Sequence, residues 1–538
     1  EGLLSMAVLK DKCLPQTTHQ RIEHIHESLL FYDEHTFGAS ESVSDPLCEN
    51  SQVQWGEKSA YAWEAVKRTQ MLYETSVGLL QGDLRRGKNP TLTIFNTLNW
   101  KRSEMLTVYI DFEVIPRNQF FEITDFQGHS LKVQPIRYRR EGCYYAIFAE
   151  DIPPMGYKTF EIVFKQPSTD TGTITINNAS IENHFYKLQL NPDKGTIQSL
   201  YDKELNCELV DSSSPWELGA FIYEKLGNRD QLAQYRLDDY NRTGLSECRI
   251  IDSSNGPIYQ RILLQGKSPG TDEAFGVNLE IKLYHDTKRI ELEYAIKRLP
   301  ETDPSGIYVA FPFQLPEGKL AFDVQGGTVI SGKNQLEGTS TDWNTVQNFV
   351  SVQNNQAQII IGSSLIPLYQ LGDINLGKFQ YQKQYERPHV YSWVMNNYWN
   401  TNFKASQEGE FRWSYHLTSS VDPSSNLATK FGWSSRIPLY ARVMPTGTEN
   451  HKPTEYSAFH FEKDNFLMTS CTPSKEEGYI LLNIREIDGK RTNLRILNED
   501  GQTIPFTIVN AIEEKLENET SEHIFEGYQN KFIKIKRF

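Results

Sequence analysis

The densest group of side chains with reactive chemistry is Asp33, Glu34 and His35, which are followed by a glycine at Gly38. Carboxylates and imidazole are ordinary protein ligands of zinc and similar divalent ions. On residue types alone, side chains that bind backbone groups or solvent at a helix end are the more common case. The cluster is therefore a candidate metal or substrate site that needs support from elsewhere in the chain.

A second group spans residues 391–403, which read YSWVMNNYWNTNF. Amides make paired hydrogen bonds to vicinal hydroxyls, and aromatic rings stack on the apolar face of a sugar. The candidate substrate-binding residues in this segment are Asn397, Tyr398, Trp399 and Asn402. The alternative is a strand whose rings belong to the core, with asparagines in the turns, and the residue types favour neither.

Several other classes of function are disfavoured. No G-x-S-x-G elbow follows a predicted strand, and no Walker loop or dinucleotide fingerprint is present. The six cysteines form no C-x-x-C pair, so neither a zinc knuckle nor a disulfide framework is expected. The net charge of −14 argues against nucleic acid or an anionic membrane as partner. No apolar run predicts a transmembrane helix.

Two helices are predicted to position the first group. Apolar residues recur at spacings of three and four along Ala62–Leu80 and, before it, at Ile22, Ile25, Leu29 and Leu30. Asp33–His35 follows the earlier stripe, where that helix should end. Two helices joined by a loop indicate part of a helical bundle, which helices preceding this chain are expected to complete.

The rest of the chain has the pattern of β-strands. Leu279–Tyr284 and Ile290–Ile296 alternate polar and apolar residues, and turn residues separate such segments throughout. We therefore expect a mainly β protein with an N-terminal helical segment and β-sandwich domains. With a polar linker at Lys165–Gly172, the predicted domains are a helical segment (1–88), a small β domain (89–165), a large β-sandwich (173–445) and a C-terminal β domain (446–538).

A series of segments resembles the C-terminal portion of glycoside hydrolase family 38, the α-mannosidase-like family. The matching segments are Tyr32–Ala39, Trp55–Lys58, Ile94–Arg102, Asn183–Tyr186, Gly195–Lys203, Asn396–Phe403 and Phe532–Lys536. They occur in the family's order, which is more specific than any single match. The resemblance implies a bundle remnant followed by β-sandwich domains, with a galactose-mutarotase-like super-sandwich among them.

The resemblance also implies an activity: zinc-dependent, retaining hydrolysis of terminal α-mannosides of glycans. His35 best matches the histidine that this family contributes late in its sequence to the zinc. The order Asp-Glu-His departs from the family's His-Asp at this point. Glu34 is therefore the alternative ligand, and Asp33 is implied to bind the sugar.

The chain departs from the family in one larger respect. None of its twelve histidines is followed two residues later by Asp, although the family has a His-x-Asp pair and a nucleophilic aspartate on an N-terminal α/β domain. We therefore expect no catalytic residue in this chain, a zinc site completed by residues outside it, and no activity without its own N-terminal catalytic domain. The family analogy slightly favours an exported or periplasmic location.

Two alternatives remain open. The β-sandwiches would form a non-catalytic module that binds glycan or acts as a scaffold, or a different metal hydrolase would use Asp33, Glu34 and His35 alone. Three adjacent residues rarely converge on one ion, so the latter ranks last. The family interpretation predicts that His35 and the Asn397–Asn402 segment lie within about 20 Å of each other, since a sugar site is one small pocket.

Overall fold

The computed structural model describes residues 1–166 and 179–538 and is mainly β with helices at the N-terminus, as predicted. The helices are α1 (Gly2–Leu9), α2 (Thr18–Asp33), α3 (Glu49–Leu80) and α4 (Ser425–Arg436), with 3-10 turns at Gln81–Asp83 and Arg229–Gln234. None of the helices in these residues is long and apolar enough to cross a membrane.

The strands of the described residues run as follows: β1 Thr91–Asn96, β2 Arg102–Asp111, β3 Phe120–Thr124, β4 Lys132–Tyr138, β5 Gly142–Ile152, β6 Gly156–Lys165, β7 Ser180–Glu182, β8 Tyr186–Asn191, β9 Thr196–Asp202, β10 Cys207–Glu208, β11 Phe221–Leu226, β12 Tyr240–Thr243, β13 Ser246–Asn255, β14 Tyr259–Lys267, β15 Val277–Tyr284, β16 Ile290–Arg298, β17 Ser305–Phe311, β18 Lys319–Val324, β19 Gly327–Ile330, β20 Asn344–Thr345, β21 Phe349–Gln353, β22 Gln358–Gly362, β23 Leu368–Leu371, β24 Val390–Asn396, β25 Gly409–Ser420, β26 Tyr440–Met444, β27 Glu455–Ser457, β28 His460–Phe461, β29 Phe466–Pro473, β30 Tyr479–Glu486, β31 Thr492–Leu494, β32 Ile496–Leu497, β33 Thr507–Val509, β34 His523–Phe525 and β35 Asn530–Lys536.

Both predicted N-terminal helices are present, but the predicted buried face of the first is wrong in part. Ile25 is buried in a small apolar cluster with residues of α3. Leu29 and Leu30, from the same predicted stripe, are 41% and 72% exposed. The 3.6-residue periodicity identifies the helix, but whether the side chain at each position is buried depends on tertiary packing.

The chain divides into two compact units, each built from separate stretches of sequence. The first comprises Glu1–Leu29, Ala62–Gly172 and Ile437–Phe538, and the second comprises Leu30–Tyr61 and Thr173–Arg436. The predicted linker at Lys165–Gly172 falls mostly on residues 167–172, which lie outside the described residues. The division into four contiguous domains stays a prediction.

The first unit is held together by two apolar cores. One core joins α1 to the sheet β29-β30-β35-β33, and it includes Met6, Phe466 and Ile533, all fully or almost fully buried. The other lies between the sheet β26-β1-β6-β27 and the sheet β2-β5-β4. Strand β1 contributes side chains to both cores, since Phe95 faces the first core and Ile94 faces the second.

The second unit contains a sandwich of two antiparallel sheets. The described strands order as β12-β11-β17-β24-β23-β20 in one sheet and β13-β14-β15-β16-β25-β22-β21-β18-β19 in the other. Ile307, Val309 and Phe311 of β17 point into the core between them, which the other sheet fills with residues such as Tyr294 and Tyr415. Successive side chains of a strand point to opposite faces of the sheet, so alternate residues of these strands form the apolar interior of the sandwich.

The opposite face of the six-stranded sheet is also apolar and buried. Tyr308 of β17 and Tyr391 and Trp393 of β24 form a second cluster there with Tyr398, which follows β24. Because successive side chains point to opposite faces, the same strands supply the sandwich core and this outer cluster. The outer cluster is the base on which the candidate site is built.

Candidate functional site

The segment after α2 is fixed by a buried lysine of α3. Lys58 is 7% exposed. Its Nζ donates hydrogen bonds to the carbonyl oxygens of Phe31 and Glu34, at 2.8 and 2.7 Å. The last carbonyls of a helix lack partners inside it, and an ammonium group at that end also suits the helix dipole. Lys58 therefore sets where the chain leaves α2, directly before His35.

Glu34 and His35 form an exposed pair. The Nδ1 atom of His35 lies 2.9 Å from Oε1 of Glu34, and the imidazole side chain is 91% exposed. The same carboxylate oxygen accepts the Thr36 N–H at 3.0 Å. That backbone hydrogen bond, with help from Lys58, lowers the pKa of Glu34. Among the described residues, none binds Nε2 of His35, which leaves this atom available.

These donors fit one corner of a zinc site. Catalytic zinc needs about three protein ligands, one of them commonly an imidazole whose other nitrogen is held by a carboxylate. His35 and Glu34 have that imidazole–carboxylate arrangement. Asp33 is exposed, and no group of three or more His, Cys, Asp or Glu side chains among residues 1–166 and 179–538 is placed to hold a metal. The described residues thus provide one available imidazole ligand.

The Asp33–Gly38 segment meets the second candidate group inside the second unit. The rings of Phe37 and Phe403 stack with centroids 6.2 Å apart. The Thr401 hydroxyl donates to the Ser40 carbonyl at 3.0 Å. A Cβ on Gly38 would lie 2.7 Å from Nε1 of Trp55, so this close approach requires glycine. The expected proximity of the two segments is found.

Asn397 holds the second group in place. Its amide nitrogen donates to the carbonyl oxygens of Glu301, Asp303 and Ala405, at 3.2, 3.0 and 2.7 Å. Its amide oxygen accepts the Ser305 N–H at 2.7 Å. Every polar atom of this side chain therefore has a protein partner. Asn397 shapes the loop that follows β24, and its predicted contact with substrate stays a prediction.

Tyr398 is also part of the framework. It is 5% exposed, and its hydroxyl donates to Oε1 of Glu224 at 2.7 Å. Glu224, which is fully buried, also accepts from Tyr308 at 3.2 Å and from Nε of Arg242 at 2.5 Å. The buried Glu224 carboxylate raises the pKa of Arg242. A paired internal charge thus anchors the tyrosine beneath the loop.

Trp399 and Asn402 are more accessible. Trp399 is 59% exposed and packs edge-on against Phe403, with ring centroids 6.1 Å apart. Asn402 has a left-handed backbone at φ 66°, and its side-chain oxygen accepts from the Thr401 hydroxyl at 3.1 Å. The positive φ turns the chain back toward Gly38. Of the four predicted loop residues, Trp399 has the most freely exposed side chain.

A cavity of about 520 Å³ opens beside this loop. Its size lies within the range of roughly 300–1,000 Å³ that is typical of small-molecule sites. Aromatic rings and a few polar groups line it, and all of them belong to the second unit: Val43, Leu232, Ala233, Tyr235, Asp342, Trp343, Leu368, Leu376, Gly377, Trp393, Asn396, Asn397, Tyr398, Trp399, Asn400, Phe403, Lys404 and Ala405.

Three lining residues come from parts of the chain that the sequence does not connect to the loop. Tyr235 and Trp343 are 65% and 37% exposed, and Asp342 is 4% exposed. The sequence provides one weak signal for them, an Asp-Trp pair at positions 342–343 between two short strands. The chemistry of the cavity, rings around a buried carboxylate, suits a ligand with an apolar face and several hydroxyls.

A smaller cavity of about 280 Å³ lies on the nine-stranded sheet, lined in part by Arg261, Glu280, Glu293 and Arg412. Arg261 is paired with Glu280, and Arg412 lies 3.7 Å from Glu293. Because these charges already neutralise one another, this cavity offers a ligand fewer free groups than the aromatic one.

A comparison with models of known protein families gives a match that lies within the second unit. Residues 181–379 match the family model described as "Glycosyl hydrolases family 38 C-terminal domain". No curated protein matches the chain in sequence.

Two solved structures share its fold, an alpha-mannosidase from Enterococcus faecalis V583 and a protein in glycosyl hydrolase family 38 from Enterococcus faecalis. Each is 13% identical with a TM-score of 0.74, and each is matched over 100% of this chain. The chain spans 65% and 68% of their respective lengths. At this identity the likeness establishes the fold. A galactose mutarotase-like protein from Lactobacillus casei also matches 46% of the chain, with 14% identity and a TM-score of 0.29, too low to carry an argument.

Proposed function

We propose that this chain is the C-terminal part of a retaining glycoside hydrolase that removes terminal α-mannosyl residues from glycans, because residues 181–379 match the model of the family 38 C-terminal domain. The observation that carries the proposal is the meeting of the Asp33–Gly38 segment with the aromatic cavity in one compact unit. The remainder of the active site, including the nucleophile, belongs to an N-terminal α/β domain.

In this proposal the chain binds and orients the sugar and leaves bond cleavage to the other domain. Trp399 and its neighbouring rings cover the apolar face of the pyranose and exclude water from it. One carboxylate of the catalytic domain attacks the anomeric carbon, and a second protonates the leaving oxygen and then activates water. The framework of Asn397, Tyr398 and Glu224 keeps the loop in its binding shape before the substrate arrives.

We also propose that His35 is the one zinc ligand contributed by this chain. Glu34 holds Nδ1, which directs Nε2 outward as the coordinating atom. This arrangement gives Glu34 an orienting role, the alternative to binding the metal itself. Zinc bound there would supply a positive charge that holds sugar hydroxyls.

The test uses the protein extended by the residues encoded before Glu1. We expect those residues to include a His-x-Asp pair on a strand, and the extended protein to hydrolyse 4-nitrophenyl α-mannoside with zinc bound. His35→Ala should lower zinc content and turnover together by tenfold or more. His129→Ala is the matched control, because His129 is exposed and pairs through Nδ1 with Asp125 at the same 2.9 Å.

Full zinc content and full activity in the His35→Ala protein would overturn the assignment of the ligand. An extended protein that binds mannosides without turnover or zinc would instead support the second candidate function, a carbohydrate-binding module. That candidate is favoured by one observation, namely that the second unit by itself holds a cavity in which aromatic rings surround a buried carboxylate.

A further inference from the structure

The aromatic cavity contains a carboxylate that is only partly used by the protein. Asp342 is 4% exposed and lines the cavity beside Trp343. Its Oδ2 accepts the Gly377 N–H at 3.2 Å, and its own backbone N–H is the other donor to this carboxylate among the described residues. Burial raises the pKa of Asp342. A buried carboxylate with unused acceptor positions is unfavourable unless a ligand completes them.

A buried lysine interacts electrostatically with Asp342. Lys383 is 8% exposed, and no described residue accepts a hydrogen bond from its Nζ or lies within ion-pair distance. Burial lowers its pKa to about 8, while the charges of Asp342 and Asp373 act in the opposite direction. The protein thus keeps a negative and a positive group near each other without a direct contact. The charge of Lys383 lowers the pKa of Asp342 and so opposes the larger effect of burial, which raises it.

The rings complete a sugar-binding arrangement. Trp343, Trp393 and Trp399 all line the cavity. Trp343 and Trp393 meet edge to face with centroids 5.8 Å apart, so they form one wall. The buried Nε1 of Trp393 has no hydrogen-bond partner among the described residues. Rings that cover one face of a pyranose, with a carboxylate at the edge to accept from two hydroxyls, are the groups a hexose requires.

We infer that this cavity binds a terminal α-mannosyl residue by itself, in the absence of the catalytic domain, with Asp342 accepting hydrogen bonds from ring hydroxyls and Trp399 stacking on the ring. The choice of mannose among hexoses rests on the proposed function. The site and the role of Asp342 rest on the geometry of the second unit alone.

The experiment is calorimetric titration of the 538-residue chain with methyl α-mannoside and, separately, methyl α-glucoside. We expect saturable binding with preference for the mannoside. Asp342→Asn should weaken it by tenfold or more, because a neutral amide is a poorer acceptor yet still accepts the Gly377 N–H. Trp399→Ala should weaken it by roughly three- to tenfold.

Two controls are matched to these variants. Asp373→Asn removes a nearby carboxylate that is 60% exposed and does not line the cavity. Trp63→Ala removes a tryptophan of α3 that is 72% exposed and also lies outside the cavity. Both should bind within twofold of the wild-type chain. Circular dichroism confirms that each variant is folded.

Absence of binding by the folded wild-type chain would overturn the inference, and so would unchanged affinity in Asp342→Asn. Preference for the glucoside would overturn the mannosyl assignment. These failures are distinct from failure of the proposed function, because the extended protein would still hydrolyse mannosides if the sugar bound only between this chain and its catalytic domain.

Discussion

His416 of β25 is buried where protonation is strongly disfavoured. Burial, together with the charges of Arg289 and Lys282, lowers its pKa from 6.5 to about 3, although Glu291 lies 3.8 Å from Nε2 and acts in the opposite direction. The folded chain therefore keeps this imidazole neutral, while the unfolded chain protonates it below its ordinary pKa. The stability due to this neutral histidine is present above pH 6.5 and decreases as the pH falls toward about 3.

We expect the free energy of unfolding to fall by about 2 kcal/mol between about pH 7 and about pH 5 through this one group. Urea unfolding of wild-type and His416→Gln chains at the two pH values measures it, and the variant should lose that much less. His451→Gln, at an exposed histidine, should keep the wild-type dependence. An identical pH dependence in all three proteins would contradict the prediction.

At the scale of residues, the sequence identifies side chains by type but not by the direction they face. Trp399, Asn397 and Tyr398 were all predicted in the site and all line the cavity. The polar side-chain atoms of Asn397 and Tyr398, however, form hydrogen bonds to other groups of the protein. Asp342 lies over fifty positions earlier in the chain, and the Asp-Trp pair there is the weak signal noted above. The pairing of β20 with β23 and of β23 with β24 brings that part of the chain beside the loop.

At the scale of elements, the end of α2 depends on a side chain from α3. Lys58→Met keeps most of the apolar stem but removes the donor for the carbonyls of Phe31 and Glu34. We expect a loss of about 1–3 kcal/mol in unfolding free energy. Hydrogen exchange at the amides of residues 34–38 should become faster in the same variant, since their anchor is lost.

Lys67→Met is the control for this change. Lys67 is also on α3, but its side chain is 62% exposed and pairs with Glu64 on the surface. We expect it to change stability by less than about 0.5 kcal/mol. Equal effects of the two substitutions on stability and on exchange would show that Lys58 does not fix the segment.

The positions of helices and strands were predicted more reliably than the tertiary contacts that each of them makes. The predicted strands at Leu279–Tyr284 and Ile290–Ile296 lie within β15 and β16, because alternation reports a strand with one covered face. The exposed Leu30 of α2 shows the limit, since local spacing does not reveal what covers a helix. The end of α2 at Asp33 was predicted, but its lysine anchor depends on a contact across 24 positions.

At the scale of the molecule, the apolar cores of each unit consist of that unit's own residues, and in the first unit β1 joins the two cores. We expect calorimetry to resolve two unfolding transitions, since cooperativity follows a shared core. Glu224→Gln leaves the half-buried Arg242 without its charge partner and should cost about 2–4 kcal/mol. It should lower the midpoint of one transition only, that of the second unit.

Glu449→Gln is the control in the first unit, because its pair with Arg85 is an exposed contact worth about 0–1 kcal/mol. It should leave both midpoints near their wild-type values. A single transition that shifts as a whole with Glu224→Gln would contradict the assignment of independent cores.

The match of residues 181–379 to the family model was predictable at this scale, because several short segments occur in a fixed order. Which stretches of sequence form each unit could not be predicted, because boundaries inferred from a linear sequence assume contiguous domains. Strand β26 pairs with β1 across more than three hundred residues, and no local pattern indicates such a partner.

The second unit joins Leu30–Tyr61 to Thr173–Arg436. As a consequence, Thr173–Arg436 alone is not a complete unit that can be cut out of this protein. A truncation that begins at Thr173 would deprive Phe403 of Phe37 and Thr401 of Ser40, and so uncover the loop that borders the cavity. Recombination or engineering that exchanges this unit must carry both stretches together, so that His35 moves with the loop that borders the cavity.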